Sequence, residues 1–362
     1  MNILEIKPHF TEKLSELLFV EVSKKKIKEI FKTDLNKEIY MPIKSSDIVE
    51  NVKEKENIDA IPISYFIEAM YYVMGADEKF KFNDAYGQLL KNIDESSKFI
   101  KGKIYKLIEK KNYEEAYLLL KGLCNIETEE ENFEKLLMLA DKLRNLDKRY
   151  KDEELQLIET YKKKFEEAAT PYAYESIIKK DLQDFQGALF SLNNYIARGG
   201  EETSQITDMK IWLKGIVNYD RGKELLNEDP EGALKLLIPL IKEFEEDAVL
   251  YYYIAVGYRM LQNYEKAIYY LNESISIDSS IVEVINELGI NYASLGDFNK
   301  AIAFLRKAFE ATKSIEICTN LVMCYLNAGK LEDAKMHLTI AKKLDPEDEI
   351  VLELESILNN SK

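Results

Sequence analysis

With 46% hydrophobic residues over 362 positions, and only 14 Gly and 7 Pro, the chain has ample apolar surface to bury and too few turn formers for a β-rich fold. A net charge of -15 works against the phosphate attraction that drives nucleic-acid binding, and against an anionic membrane surface. Three cysteines without a CxxC pair (Cys124, Cys318, Cys324) and two distant histidines (His9, His337) offer neither a zinc set nor a disulfide framework, so the cysteines read as small core residues.

The first twenty residues scatter charges among apolar positions and hold no uninterrupted signal-type stretch, which predicts a soluble, cytoplasmic protein. Leu14, Leu17 and Leu18, then Ile27, Ile30 and Phe31, have helical spacing. The run from Ser23 to Lys28 looks basic. On a helix, however, Lys24 and Lys28 share a face while Lys25 and Lys26 point away, and carboxylates balance lysines over residues 1–60, so a solvated helix is expected. A short strand over Ile39 to Ile43 is left open. Pro62 and Gly75 bracket an aromatic-rich helix, Ser64 to Met74, which is too short for a bilayer and carries Glu68. Residues 1–96 are therefore expected to form a helical cap or small bundle docked on the helices of the remaining chain.

Further along, NYEEA (Asn112 to Ala116), DFQGA (Asp184 to Ala188) and DPEGA (Asp229 to Ala233) mark one kind of turn into a second helix. Between the first two, Thr128 and Glu131 are spaced as a capping box before Phe133, Leu136, Leu137, Ala140 and Leu143 on one face. A second helix there holds Leu155, Ile158, Phe165 and Ala169, and Arg198 to Asp208 reads as a polar insertion.

In the last third, Ala267, Ala301 and Ala334 each follow a large apolar residue (Tyr264, Phe298, Leu331) by three positions, so the pattern recurs every 33 or 34 residues. Units begin near Ala248, Val282 and Ile315. Their first helices share Tyr251, Ile285 and Cys318, then Ile254, Leu288 and Leu321, then Ala255, Gly289 and Val322, and then Tyr258, Tyr292 and Tyr325. A turn follows, with Gly296 and Gly329 but Gln262 in the first unit. The second helices carry the three alanines, then Leu271, Leu305 and Leu338, then Ser274, Ala308 and Ala341.

This order of positions resembles the tetratricopeptide repeat, most clearly over residues 248–358. The closing Pro survives only as Pro346, with Ser279 and Lys313 in the earlier units. The resemblance implies an all-α, right-handed superhelical solenoid of helical hairpins: divergent over 97–213, regular over 214–346, and closed by a capping helix and tail over 347–362. Ile350, Val351, Leu354, Ile357 and Leu358 form that helix's apolar stripe.

The resemblance also implies a concave face lined by first-helix residues. These are Val249, Tyr252, Tyr253, Val256 and Arg259, then Glu283, Asn286, Glu287, Ile290 and Ala293, then Glu316, Thr319, Asn320, Met323 and Leu326. Tyr252, Tyr253, Val256, Arg259, Asn286, Ile290, Asn320 and Met323 are the candidate contacts, since Tyr and Arg anchor, Met adapts and Asn pairs with a peptide backbone. The implied function is an adaptor or scaffold that binds a peptide or protein segment. Members that clamp a carboxylate end place Lys, Asn and Arg on this face; Tyr, Val, Asn and Glu stand there instead, which suits a neutral or basic apolar segment. Neither GxGxxG nor GxxxxGK[ST] occurs and no catalytic constellation is visible, so enzymatic activity, a cofactor, a metal, nucleic acid and a membrane are not expected. The alternative reading is a peptide-sensing regulatory receptor, similar to those of Gram-positive bacteria, with the N-terminal region as effector module. Richness in Lys, Ile, Asn and Tyr is associated with AT-rich bacterial genomes.

Overall fold

A computed structural model describes residues 6–33, 38–48 and 61–360. The chain divides into two compact units, Met1–Thr207 and Asp208–Lys362.

In the first unit, α1 (Ile6–Lys13) leads through one 3-10 turn into β1 (Leu17–Glu21), which pairs antiparallel with β2 (Tyr40–Lys44). The register sets Leu17 opposite Lys44, Phe19 opposite Pro42 and Glu21 opposite Tyr40. Helical spacing for Leu14, Leu17 and Leu18 therefore does not hold. Leu17 is buried and Leu18 exposed, the alternation of a strand. A run as short as Leu17 to Val20 fits either period, and the partner strand decides between them. Among the described residues this small sheet is the one departure from an otherwise helical fold. Next, α2 (Lys24–Phe31) opens on Ser23, whose hydroxyl accepts the Lys26 N–H, and buries Ile27 and Phe31 while Ile30 and the lysines stay exposed.

The aromatic helix α3 (Ile63–Ala76) runs through Gly75 instead of stopping there, and it is buried from Ile67 to Ala76. The reason is its neighbour: beyond α4 (Asn83–Lys91) and α5 (Ser96–Glu109), α6 (Tyr113–Cys124) lies against it backbone to backbone. A Cβ on Gly75 would sit 1.9 Å from the Leu118 carbonyl oxygen, and one on Gly122 would sit 2.0 Å from that of Tyr71. Two glycines thus set the spacing of this pair. Glu68, buried in the same helix, is held by Lys44 at 2.7 Å and Lys103 at 2.9 Å. Against the cost of burial, these two ammonium groups keep its carboxyl below the usual range.

The unit continues with α7 (Glu130–Leu146), α8 (Lys151–Lys164), α9 (Thr170–Asp181) and α10 (Phe185–Ala197). Thr128 and Glu131 do not form a capping box. The helix is entered through Glu129, whose carboxylate accepts from Asn132, while Glu131 pairs forward with Lys135. Phe165 and Ala169 fall beyond the end of α8; Phe165 instead packs edge-on against Phe133 and Tyr161 at 5.5 Å. Arg144 of α7 reaches three carboxylates: Glu154 of α8 at 2.7 Å, Asp181 of α9 at 2.8 Å and Asp141 of its own helix at 2.6 Å. One apolar core runs through the unit from Phe10 to Ile178.

Helix α11 (Ser204–Leu225) leads into the second unit, followed by α12 (Pro230–Leu237), α13 (Ala248–Met260), α14 (Tyr264–Ile277), α15 (Val282–Ser294), α16 (Phe298–Thr312), α17 (Ile315–Asn327), α18 (Leu331–Leu344) and α19 (Glu349–Asn360). The repeat positions form its interior. Ile254, Leu288, Leu321, Ala267, Ala301 and Ala334 have no exposed surface. The recurring tyrosines lie against the facing second helices, with Tyr258 stacked on Tyr270 at 5.4 Å, Tyr292 on Phe304 at 5.6 Å, and Tyr325 beside His337 at 4.9 Å. On α19, Val351, Leu354 and Leu358 are buried, but Ile350 and Ile357 are half exposed, so the apolar stripe is narrower than its sequence pattern. Ser361 and Lys362, the end of the expected tail, lie outside the described residues.

A single turn geometry recurs in both units. Lys111, Gln183, Gln262, Gly296 and Gly329 take positive φ, and the next residue donates its N–H five residues back, as from Asn263 to Tyr258 and from Asp297 to Tyr292, each at 2.9 Å. This is the Schellman ending of a helix. The following helix starts at once, and Asp184, Asn263 and Asp297 cap it by accepting a backbone N–H three residues on. Turn and cap together fold each first helix back on its second.

Candidate functional site

The first helices of the second unit bury one stripe and leave the residues between as a face, and the structure sorts the eight candidate contacts on it. Tyr253 and Val256 pack into the cluster around Leu226, Leu234 and Leu237, and Tyr253 sets its ring edge-on to Tyr219 at 6.1 Å. Tyr252 is half-buried, edge-on to Tyr253 at 5.3 Å, and its hydroxyl is pushed up to about 12 by burial and by the carboxylate of Glu287. Arg259 donates from Nε to Glu287 at 2.7 Å, so its charge is already matched. Ile290, Asn320 and Met323 come together. With Ala293, Ser294 and Asn327 they line a cavity of about 250 Å³ floored by Phe298 and Leu305.

Two residues placed on this face by sequence are shut inside it. Glu287 and Thr319 are 7% and 2% exposed, which leaves Glu283, Asn286, Ile290, Glu316, Asn320 and Met323 to present the accessible surface between α15 and α17. Burial, and the carboxylate of Glu316 nearby, hold Glu287 above the usual carboxylate range although Arg259 draws it down. Glu283 and Glu316 are exposed and make no ion pair among the described residues. Asn286 Oδ1 and Asn291 Oδ1 are closed off from solvent and have no hydrogen-bond donor among the described residues, although the Asn291 amide does donate to the Glu287 carbonyl at 2.8 Å. Asn291 was not singled out from sequence; its place one helical turn after Glu287 was the available signal.

Residues 282–314, one complete hairpin of this arrangement, match the tetratricopeptide repeat family model. The second unit thus contains a tetratricopeptide repeat. A TPR repeat-containing protein of Methanocaldococcus jannaschii is 29% identical over 141 residues, which are 37% of this chain; the match spans a quarter (25%) of that relative's length. Among solved structures, YrrB, described as a TPR protein with an unusual peptide-binding site, aligns at 16% identity over 55% of this chain and 97% of its own, with a TM-score of 0.40. MamA aligns at 20% identity over 48% and 90%, with a TM-score of 0.37. The C-terminal part of a TPR repeat-containing protein from Cytophaga hutchinsonii aligns at 16% identity over 70% and 98%, with a TM-score of 0.39.

The tetratricopeptide pattern also brings out a groove in the first unit that sequence reading missed. Counting back from the turn, Lys101, Tyr105 and Ile108 of α5 occupy the positions of Tyr252, Val256 and Arg259. They line a cavity of about 300 Å³ with Ile104, Leu120, Lys135, Met138 and Leu139. It was hidden because α7, its other wall, is not followed by the turn signature.

Of the chain's thiols, Cys324 borders the cavity at Ile290 and Met323. All three cysteines are free and buried, and burial raises each thiol, Cys124 to about 12 and Cys324 to about 11. A thiol reagent is therefore expected to label the native protein at least about a hundred times more slowly than the chain in denaturant, where all three react. Rapid labelling of any one of them in native buffer would show that its packing is open.

Proposed function

We propose that this protein is a non-catalytic adaptor that binds a peptide or protein segment along the first-helix face of its second unit, with Asn286, Ile290, Asn320 and Met323 as the principal contacts. The observation that carries this reading is the cavity shared by Ile290, Asn320 and Met323, an apolar slot flanked by amide groups on a preformed helical frame. Tyr252, Tyr253 and Val256 support the frame, and Arg259 positions Glu287. Among the described residues no group of three or more His, Cys, Asp or Glu could hold a metal ion, and no helix is long and apolar enough to cross a membrane. Three free, buried thiols fit a reducing, cytoplasmic setting.

The receptor alternative requires the first 95 or so residues to form an effector module with a movable joint to the repeats. Phe10, Ile27, Met70 and Tyr86 share one continuous core with Leu118, Phe133 and Ile158, which argues against a joint at that place.

A triple variant, Asn286→Ala, Asn320→Ala and Met323→Ala, leaves the half-buried Tyr252 and Tyr253 untouched. Used as bait in an extract of the source organism, it is expected to recover the wild-type protein's specific partners at least about tenfold less well, with helical circular dichroism unchanged. Equal recovery by both baits would place the binding surface elsewhere.

A further inference from the structure

We propose that the bound segment presents an arginine or lysine to Glu283, Asn286 and Glu316, and seats a large apolar side chain two positions away in the slot between Ile290 and Met323. The proposal rests on the reading of this face as the binding surface and adds the chemistry of the partner.

Charge is the first reason. Three carboxylates, Glu283, Glu287 and Glu316, gather at this face; Glu287 is shut beneath it and paired with Arg259, the one base among them. The two that remain, Glu283 and Glu316, are exposed on neighbouring first helices and make no ion pair among the described residues. A cation between them lowers the energy of all three; an anion, such as the free carboxylate end of a chain, raises it.

Hydrogen-bonding capacity is the second, independent reason. Asn286, half-buried next to Glu287 in the chain, carries an Oδ1 acceptor without a donor among the described residues. An acceptor left in that condition gains when a donor arrives. Lysine and arginine offer donors only, and arginine presents five in a fixed fork. Ordinary neutral polar side chains bring acceptors as well, which this surface already has in excess.

The third reason is spacing. Along α15, Asn286 stands four positions before Ile290, roughly 6 Å of helix rise. In an extended segment, side chains two residues apart lie on the same side at about 6.6 Å. The recognised pattern is thus a basic residue, any residue, and a large apolar one, or the reverse order.

The test is to pan a random twelve-residue peptide display library on the full-length protein and on a Glu283→Lys, Glu316→Lys variant. Both substituted positions are exposed, so the variant folds, which circular dichroism and melting temperature verify. From the wild-type protein, enriched sequences are expected to carry Arg or Lys two positions from Leu, Ile, Phe or Met. The best of them, as an end-blocked synthetic peptide, is expected to lose roughly tenfold or more in affinity for the variant. Enriched peptides that are neutral or acidic, or basic ones that bind both proteins equally, would overturn the partner chemistry and leave the adaptor reading standing. No enrichment above an unrelated helical protein would overturn the reading of the face itself.

Discussion

Replacing Gly75 or Gly122 by alanine is expected to lower the melting temperature of the first unit by roughly 6 to 12 °C, corresponding to about 3 kcal/mol. Each added methyl carbon would sit about 2 Å from a main-chain carbonyl oxygen, at 1.9 Å for Gly75 and 2.0 Å for Gly122, and neither oxygen can rotate away as a side chain would. The two helices must separate, and that loosens the core around Tyr71 and Leu118, both without exposed surface. Gly102 supplies the control. It is also helical, but a Cβ there meets nothing within 4 Å, so Gly102→Ala is expected to raise stability by about 0.5 to 1 kcal/mol. If Gly75→Ala melts like the wild type in differential scanning calorimetry, the backbone contact between α3 and α6 is not as described.

The second large effect belongs to Arg144. Its guanidinium is the one base shared by Glu154, Asp141 and Asp181, and the Glu154 side chain has no exposed surface. Arg144→Met is expected to cost about 3 to 5 kcal/mol, because it strands a buried carboxylate where three helices meet. The same site makes a pH prediction with a definite sign. Burial lifts the Glu154 carboxyl to about 7, and Arg144 draws it back only in part. An unfolded glutamate ionises near 4.3. Between about pH 4.5 and 7 the folded chain therefore holds a proton that the unfolded chain has lost. The stability due to Glu154 falls as pH rises through that window, by on the order of 3 kcal/mol, and is flat above it. Glu154→Gln imitates the protonated form, so its melting temperature should match the wild type near pH 4.5 and exceed it increasingly up to pH 7.5. A difference independent of pH would mean that Glu154 ionises like an ordinary surface carboxylate.

How much of this was legible depended on whether a feature is fixed by neighbours in sequence or by neighbours in space. The period of Ala267, Ala301 and Ala334 and the tyrosine at each first helix could be read directly, because hairpin packing repeats the same local contacts in every tier. Leu17 to Val20 could not, since a strand is identified by its partner, and Tyr40 to Lys44 lies a helix away. Alignment put Glu287 and Arg259 on one face, but Glu287 is shut inside it, and their mutual ion pair, which changes what the face offers a ligand, depends on side-chain reach between two repeats. The groove at Tyr105 and Met138 was missed for a similar reason: its two walls are recognisable only once α5 and α7 stand side by side.

The left-handed corners carry a consequence for how such chains diverge. Lys111, Gln183 and Gln262 adopt there the backbone that Gly296 and Gly329 reach without penalty, and a residue with a Cβ tolerates it at a cost of about 1 kcal/mol. That is small beside what the flanking helices gain by closing on each other. Evolution can therefore erase the glycine from a corner and keep the bend, and a search for repeats that relies on glycine will undercount the hairpins a chain contains.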